Sequence, residues 1–290
     1  MISQMPVPVV PSDREGPARV ASVVPSDREG PARVVSVGRP NRTHLRAAIA
    51  LAVLVAGCGT KEAPGPLQPS DATGRVRIVN VITDTTRGRV NAILEGVPFG
   101  VNLTYTQSAP ATLAAPSTAP YAAVLAGNRS FVLKRTADTN TTVATLPFTI
   151  GSAQDRSVFA VGGTGASAVA AFVTTDDNTV SATQTRVRVV QLSPTAGAVD
   201  VFITPAGADL STATPAATGL AYQGSSAYVT LAPGTYQLRA VPAGTAAASR
   251  ATSVTVTTAI VASAGTVRTI VTADNSIGGT PLRGFVLNDR

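Results

Sequence analysis

From Gly74 onward the apolar positions fall in short runs of Val, Ile, Leu, Thr and aromatic residues, broken at intervals by Gly, Pro, Asn and Asp. β-Branched and aromatic side chains suit a pleated, half-buried surface, and the breakers end each run. Strands are predicted at 76–82, 90–94, 121–125, 130–135, 142–150, 157–161 and 169–174. The same plan returns at 186–192, 199–204, 227–231, 235–241, 253–257, 267–272 and 282–287. Val199, Val201 and Ile203 share one face of their strand. Leu231-Ala232-Pro233-Gly234-Thr235-Tyr236 reads as a tight hairpin, with Pro presetting φ and Gly supplying a positive φ. Beyond residue 58 no long helical period appears. About seven short strands per hundred residues is the pattern of a β-sandwich.

The two sets of runs also match each other. Gly74-Arg75-Val76-Arg77-Ile78-Val79-Asn80 parallels Thr185-Arg186-Val187-Arg188-Val189-Val190-Gln191. Residues 121–127 parallel 228–234, and the closing runs 170–177 and 282–289 correspond. The expected architecture is all-β: two tandem immunoglobulin-like antiparallel β-sandwiches at 74–178 and 185–290, joined by 178–184.

At this point the chain resembles a family, the bacterial envelope domains catalogued as domain of unknown function 4397. The second copy carries the motifs: Arg186-Val187-Arg188-Val189-Val190 with Ser193-Pro194, Ala198-Val199-Asp200-Val201-Phe202, Leu220-Ala221-Tyr222, Tyr228, Leu231-Ala232-Pro233-Gly234-Thr235-Tyr236 and Ala243-Gly244-Thr245. The first copy matches less well. Where the family usually has a His after the valines of the first strand, this chain has Asn80 and Gln191. The resemblance implies an extracytoplasmic immunoglobulin-like sandwich and no agreed activity.

Upstream, the pattern changes. Residues 47–57 carry no charge and follow Arg39, Arg42 and Arg46. This run is shorter than the roughly 20 residues that span a bilayer and fits the apolar core of a signal peptide. Its end, Leu54-Val55-Ala56-Gly57-Cys58, resembles the lipobox of bacterial lipoproteins, which implies lipidation of Cys58 and cleavage before it. Residues 37–57 are thus the expected signal peptide. Residues 58–73, with Pro64, Gly65, Pro66 and Pro69, are the expected lipidated Cys and tether. Residues 1–36 hold a two-copy repeat, Val9–Val20 recurring at 23–34. Two short Pro- and Gly-containing copies offer no face to stack, so this stretch is expected to be spurious or a disordered extension.

Composition narrows the function. The chain of 290 residues has 23 Lys and Arg against 16 Asp and Glu, a formal charge of +7. Seven of the basic and four of the acidic residues precede Cys58. What remains is a mild excess without a basic block, which argues against a nucleic-acid partner. The one His, His44, and the one Cys lie at or before the cut, and there is no Trp. Ser–His and Cys–His pairs and the usual zinc sites are therefore excluded from the mature chain. Its only lysines are Lys61, in the tether, and Lys134 beside Arg135. No cofactor and no catalytic residue is expected.

Binding candidates remain. Asp176, Asp177 and Asn178 offer oxygen ligands for a calcium ion, against the plainer reading of a polar turn between domains. Gly162-Gly163-Thr164-Gly165 reads as a hairpin loop, because strand rather than helix follows it. The loops 106–120 and 205–218 are placed at matching positions in the two copies. Tyr105, Tyr121, Tyr222 and Tyr228 flank them, either as ligand contacts or as edge packing. Arg75, Arg77, Arg186 and Arg188 are read as solvated faces or edge-strand charges.

The expected protein is a non-enzymatic cell-envelope lipoprotein. Its expected place is extracytoplasmic, lipid-anchored to the cell membrane or outer membrane. Its expected partners are the membrane and an unidentified envelope protein or glycan, with oligomeric state open. A carbohydrate-binding accessory module and an envelope hydrolase are the alternatives.

Overall fold

The computed structural model describes residues 72–110 and 120–290. The signal peptide, Leu54, Val55, Ala56, Gly57, Cys58 and most of the tether lie outside the described residues.

The first half contains β1 (Thr73–Ile82), β2 (Val90–Leu94), β3 (Val97–Leu103), β4 (Ser108–Ala109), β5 (Ala122–Leu125), β6 (Gly127–Arg135), β7 (Asp138–Ile150), β8 (Asp155–Gly162) and β9 (Ala170–Asp176). One sheet has the order β4-β1-β8-β9, with β5 also paired to β1; the other has β3-β2-β6-β7. The second half contains β10 (Thr185–Leu192), β11 (Val199–Pro205), β12 (Ala217–Leu220), β13 (Gly224–Ser225), β14 (Val229–Leu231), β15 (Gly234–Pro242), β16 (Val256–Ala262), β17 (Val267–Ala273) and β18 (Arg283–Asn288). Its sheets run β13-β10-β17-β18, with β14 on β10, and β12-β11-β15-β16. The description as an all-β, sandwich-type chain holds.

Each half differs from a purely antiparallel sandwich in one pairing. β1 runs parallel to β8, with Arg77 opposite Ser157, and β10 runs parallel to β17, with Arg188 opposite Thr269. A parallel neighbour needs a long connection, and the strands of the opposite sheet supply it.

Inside the first half, Val76, Ile78 and Ile82 pack on Phe131, Leu133, Leu146 and Val158. Phe131 meets Phe99 edge-on at 5.0 Å and stacks on Phe148 at 5.2 Å, geometries that aromatic rings favour. The second half repeats this core with Val187, Val189, Leu238, Ile260 and Ile270.

A third apolar cluster belongs to both halves. Val79, Val81, Phe159 and Val161 face Val190, Leu192, Val271, Ala273 and Leu287. β1 therefore alternates between its own core (Val76, Ile78, Ile82) and the other half (Arg77, Val79, Val81), and it is buried on both faces from Val76 onward. A strand buried on both faces reads as a nearly continuous apolar run.

Some expected boundaries are corrected. The strand expected at 253–257 lies at β16, because residues 247–252 form a short 3-10 turn and pairing to β15 begins at Val256. β3 was not expected; it contains Pro98 and Gly100 and survives as an edge strand, where a missing N–H is tolerated. The loops 106–120 and 205–218 are not equivalent. The first lies between β3 and β5, whereas the second joins β11 to β12, a connection that the first half makes with the tight Glu95-Gly96 turn.

Candidate functional site

The charged side chains expected at the surface converge where the halves meet. Arg77 is 1 % exposed and Arg188 2 %, so the reading of these two as solvated is corrected. β1 and β10 are covered on both faces, and an arginine on the outer face points into the other half. Arg75 and Arg186 sit nearer the strand ends, paired with Asp155 at 2.5 Å and Asp177 at 2.7 Å.

The buried pairs cross over. Arg77 donates from Nη2 to Asp289 Oδ1 at 2.5 Å and from Nη1 to the Asn288 carbonyl at 3.3 Å, both in the second half. Arg188 donates from Nη2 to Asp176 Oδ1 and from Nη1 to the Thr175 carbonyl at 3.0 Å, both in the first half. Each Nε is held at home: Arg77 by Ser157 Oγ at 2.7 Å, Arg188 by Thr269 Oγ1 at 2.8 Å. Those hydroxyls in turn donate to the carboxylate of their own half, Ser157 to Asp176 and Thr269 to Asp289. The arrangement is a pseudo-twofold exchange in which each half supplies one Arg and one Asp. Buried charges persist when paired and fully hydrogen-bonded.

A tyrosine completes each side. The Arg77 guanidinium lies 4.7 Å from the Tyr121 ring centre and the Arg188 guanidinium 5.3 Å from that of Tyr228, within cation–π range. Tyr121 Oη donates to Asp176 Oδ2 at 2.7 Å. Among the described residues Tyr228 Oη is buried without a well-formed hydrogen bond, although the Asp177 amide faces it. Burial raises the phenols of Tyr121 and Tyr105, and pushes Tyr228 up to about 12.

The two carboxyls are not electrostatically alike. Burial acts to raise Asp176, but Arg188 and Arg77 outweigh it and hold the group below the ordinary range. For Asp289, burial prevails over Arg77 and Arg188, and the group is raised. Asp176 also accepts from Ser157, Tyr121 and Thr174, and these bonds favour the charged form.

The calcium candidates separate. Asp176 enters this network, Asp177 pairs with Arg186, and Asn178 donates to Asp155 Oδ2 at 2.6 Å. Among the described residues no three His, Cys, Asp or Glu side chains are grouped to hold a metal ion. Asn80 and Gln191, at the family's His position, tie strands together: Asn80 donates to the Gly88 and Leu103 carbonyls and Gln191 to the Gly197 carbonyl.

The tyrosines also separate. Tyr105 crosses to the second half and donates to the Asp274 carbonyl. In the first half the matching carbonyl, that of Gly162, is taken by the amide of Thr83 at 2.9 Å. Pro194 stands at the Thr83 position in the second half and has no N–H, which leaves Asp274 for Tyr105. Tyr222, the counterpart of Tyr105, instead lines an open crevice of about 510 Å³ with Thr164, Ser167, Pro194, Thr195 and Gln223. The loop after β11 folds onto its sheet: Leu210 covers Phe202, and Arg250 donates to the Leu210 and Ala213 carbonyls.

None of the curated proteins matches this chain. Among solved structures, the Bacillus anthracis TIE protein is similar at 11 % identity and a TM-score of 0.19, over 60 % of this chain and 29 % of that one. The chain thus spans less than a third of that protein. A family CBM26 module of Eubacterium rectale Amy13K, solved with maltoheptaose, is similar at 10 % identity and a TM-score of 0.23, over 75 % and 97 % of the two chains. A leucine-rich repeat protein of Bacteroides thetaiotaomicron gives 13 % and 0.15, over 70 % and 25 %. Scores this low carry over neither fold nor activity. The family comparison is specific, and it centres on the first half, not on the second where the motifs had stood out. Residues 74–202, the whole first half with β10 and the opening of β11, match the model described as Domain of unknown function (DUF4397), the family to which the sequence motifs had pointed.

Proposed function

We propose that this is a non-enzymatic envelope lipoprotein, anchored through Cys58, whose two sandwich halves act as one rigid head that binds a partner outside the cytoplasm. The reciprocal Arg77–Asp289 and Arg188–Asp176 exchange supports this reading best. It commits the convergent charged groups to holding two sheets face to face, and so fixes the loops at both ends relative to one another. Loops on a rigid scaffold are where binding concentrates. The family match fits a non-catalytic binding module. Labelled palmitate should enter the protein and be lost in Cys58→Ala; equal labelling of both would overturn the anchor. A pull-down of the lipidated protein from intact envelope should enrich a specific component; no enrichment over an unrelated lipoprotein would remove the binding role.

The crevice beside Tyr222 supports a second reading, a carbohydrate-binding module. Tyr222 and Pro194 line it together with Thr164, Ser167 and Thr195, the mixed apolar and polar lining usual for small-ligand sites. A glycan array should then show binding that Tyr222→Ala abolishes; an array without signal removes this reading.

A further inference from the structure

The two sheets of the first half do not close along one seam. Between their edge strands β3 and β5 lies an apolar groove of about 380 Å³, lined by Leu94, Val97, Phe99, Val124 and Leu125. Val97 is 66 % exposed and Leu125 44 %. The Arg129–Glu95 ion pair, at 2.8 Å, stands at the rim. Exposed aliphatic side chains grouped at one seam mark a contact surface, whereas single ones scattered over a surface do not.

The chain enters the fold at this seam. Thr73 pairs with Leu125, and the Ala126 amide donates to the Ala72 carbonyl at 2.6 Å. The 14 residue steps from Cys58 to Ala72 reach at most about 50 Å. A lipid on Cys58 would therefore keep the seam, the point where the chain enters the fold, within that distance of the bilayer. The segment joining the halves lies at this same end of β1, as the Asn178–Asp155 bond shows, and there Val180 is 42 % exposed.

We infer that this end of the molecule docks on the lipid surface, with Val97 and Leu125 entering the interfacial layer and Arg129 at headgroup level. The inference rests on the anchor proposed above. Tethering makes the contact effectively intramolecular, so insertion too weak to hold a free protein is enough to orient an anchored one. The far end of the head, with the Tyr222 crevice, would then face away from the membrane.

The test uses the full lipidated protein in vesicles of phosphatidylethanolamine and phosphatidylglycerol. Lipid occupies the native cysteine, so Val97→Cys, Leu125→Cys and Ile277→Cys each carry a single environment-sensitive label. Ile277, 66 % exposed, lies in the turn that meets Thr164 beyond the far end of β1. Labels at 97 and 125 should be blue-shifted and quenched by nitroxide lipids at least about twofold more than the label at 277. Equal quenching at all three sites in protein that floats with the vesicles overturns the docking face alone. Failure to float overturns the anchor, and the docking face with it.

Discussion

Nη2 of Arg77, on the first strand of the first half, lies 2.5 Å from Oδ1 of Asp289, at the end of the last strand of the second. Both side chains are withdrawn from solvent. Removing one partner leaves the other buried without its nearest counter-charge: Arg77 keeps only Asp176, at 3.8 Å, and Asp289 only the hydroxyl of Thr269 at hydrogen-bond distance. Arg77→Ala and Asp289→Ala are each expected to lower stability by about 3–5 kcal/mol. In urea unfolding, the double variant should cost far less than the sum of the singles. Additive losses would show that the two side chains do not act as a pair.

The pseudo-equivalent tyrosines should respond differently. Tyr121→Phe removes the bond to the Asp176 carboxylate and should cost about 1.5–3 kcal/mol. Tyr228→Phe removes a hydroxyl that has no well-formed hydrogen bond among the described residues and should fall within about 0.5 kcal/mol of wild type. Thermal or chemical unfolding of the two variants decides the matter, and equal losses would contradict the geometry.

Acid should weaken the junction through Asp176. Its carboxyl is held low in the folded protein, Arg188 and Arg77 outweighing burial. A depressed folded value gives stability that is present above the unfolded value near 3.9 and lost as pH falls through the folded value. Asp289, raised by burial, acts in the opposite sense and takes up its proton first. The stability gap between wild type and Asp176→Asn should therefore narrow as the pH is lowered from about 5 to 2. A gap independent of pH would refute this.

Gly284 should not tolerate a side chain. A Cβ there would run into Oγ1 of Thr258 and lie 3.0 Å from its Cβ, where β18 crosses β16. The first half has Ala171 at the matching position, opposite Ala160 as Gly284 is opposite Thr272. Gly284→Ala is expected to destabilise by about 1–3 kcal/mol through overpacking, and Thr258→Ala in the same chain should recover part of the loss. Wild-type stability in Gly284→Ala would mean that the two strands are further apart.

Much of this was legible in the order of residues. The runs at 76–82, 90–94, 186–192 and 267–272 are strands because Val, Ile and Thr leave few alternatives to a pleated surface. The repeat of these runs, with Tyr121 and Tyr228 in register, announced two copies of one plan. Local chemistry decides such features, so a local pattern reveals them. The edge strands β3 and β12 were less visible, since Pro98, Gly100 and Gly219 lower their intrinsic preference and pairing with β2 and β11 restores it.

The junction was decided only by tertiary structure. Arg77 and Arg188 look like solvent-facing charges, because alternation with aliphatics states which side of a strand a residue occupies and not what covers that side. The signal was present but needed each copy to be read against the other: Arg77 and Arg188 in the opening apolar run of each copy, and Asp289 and Asp176 at the end of the other, 212 and 12 residues away. Burial on both faces turned these four side chains into the seal between the halves. The difference between Tyr105 and Tyr222 likewise follows from Pro194 in place of Thr83, whose missing N–H matters only once the Asp274 carbonyl has been brought beside it. The sequence by itself thus determined most of the strands and the repetition of one plan, and pointed to the family whose model matches residues 74–202. The contact between the copies, and with it the fate of the charged residues, depended on which faces the fold brought together.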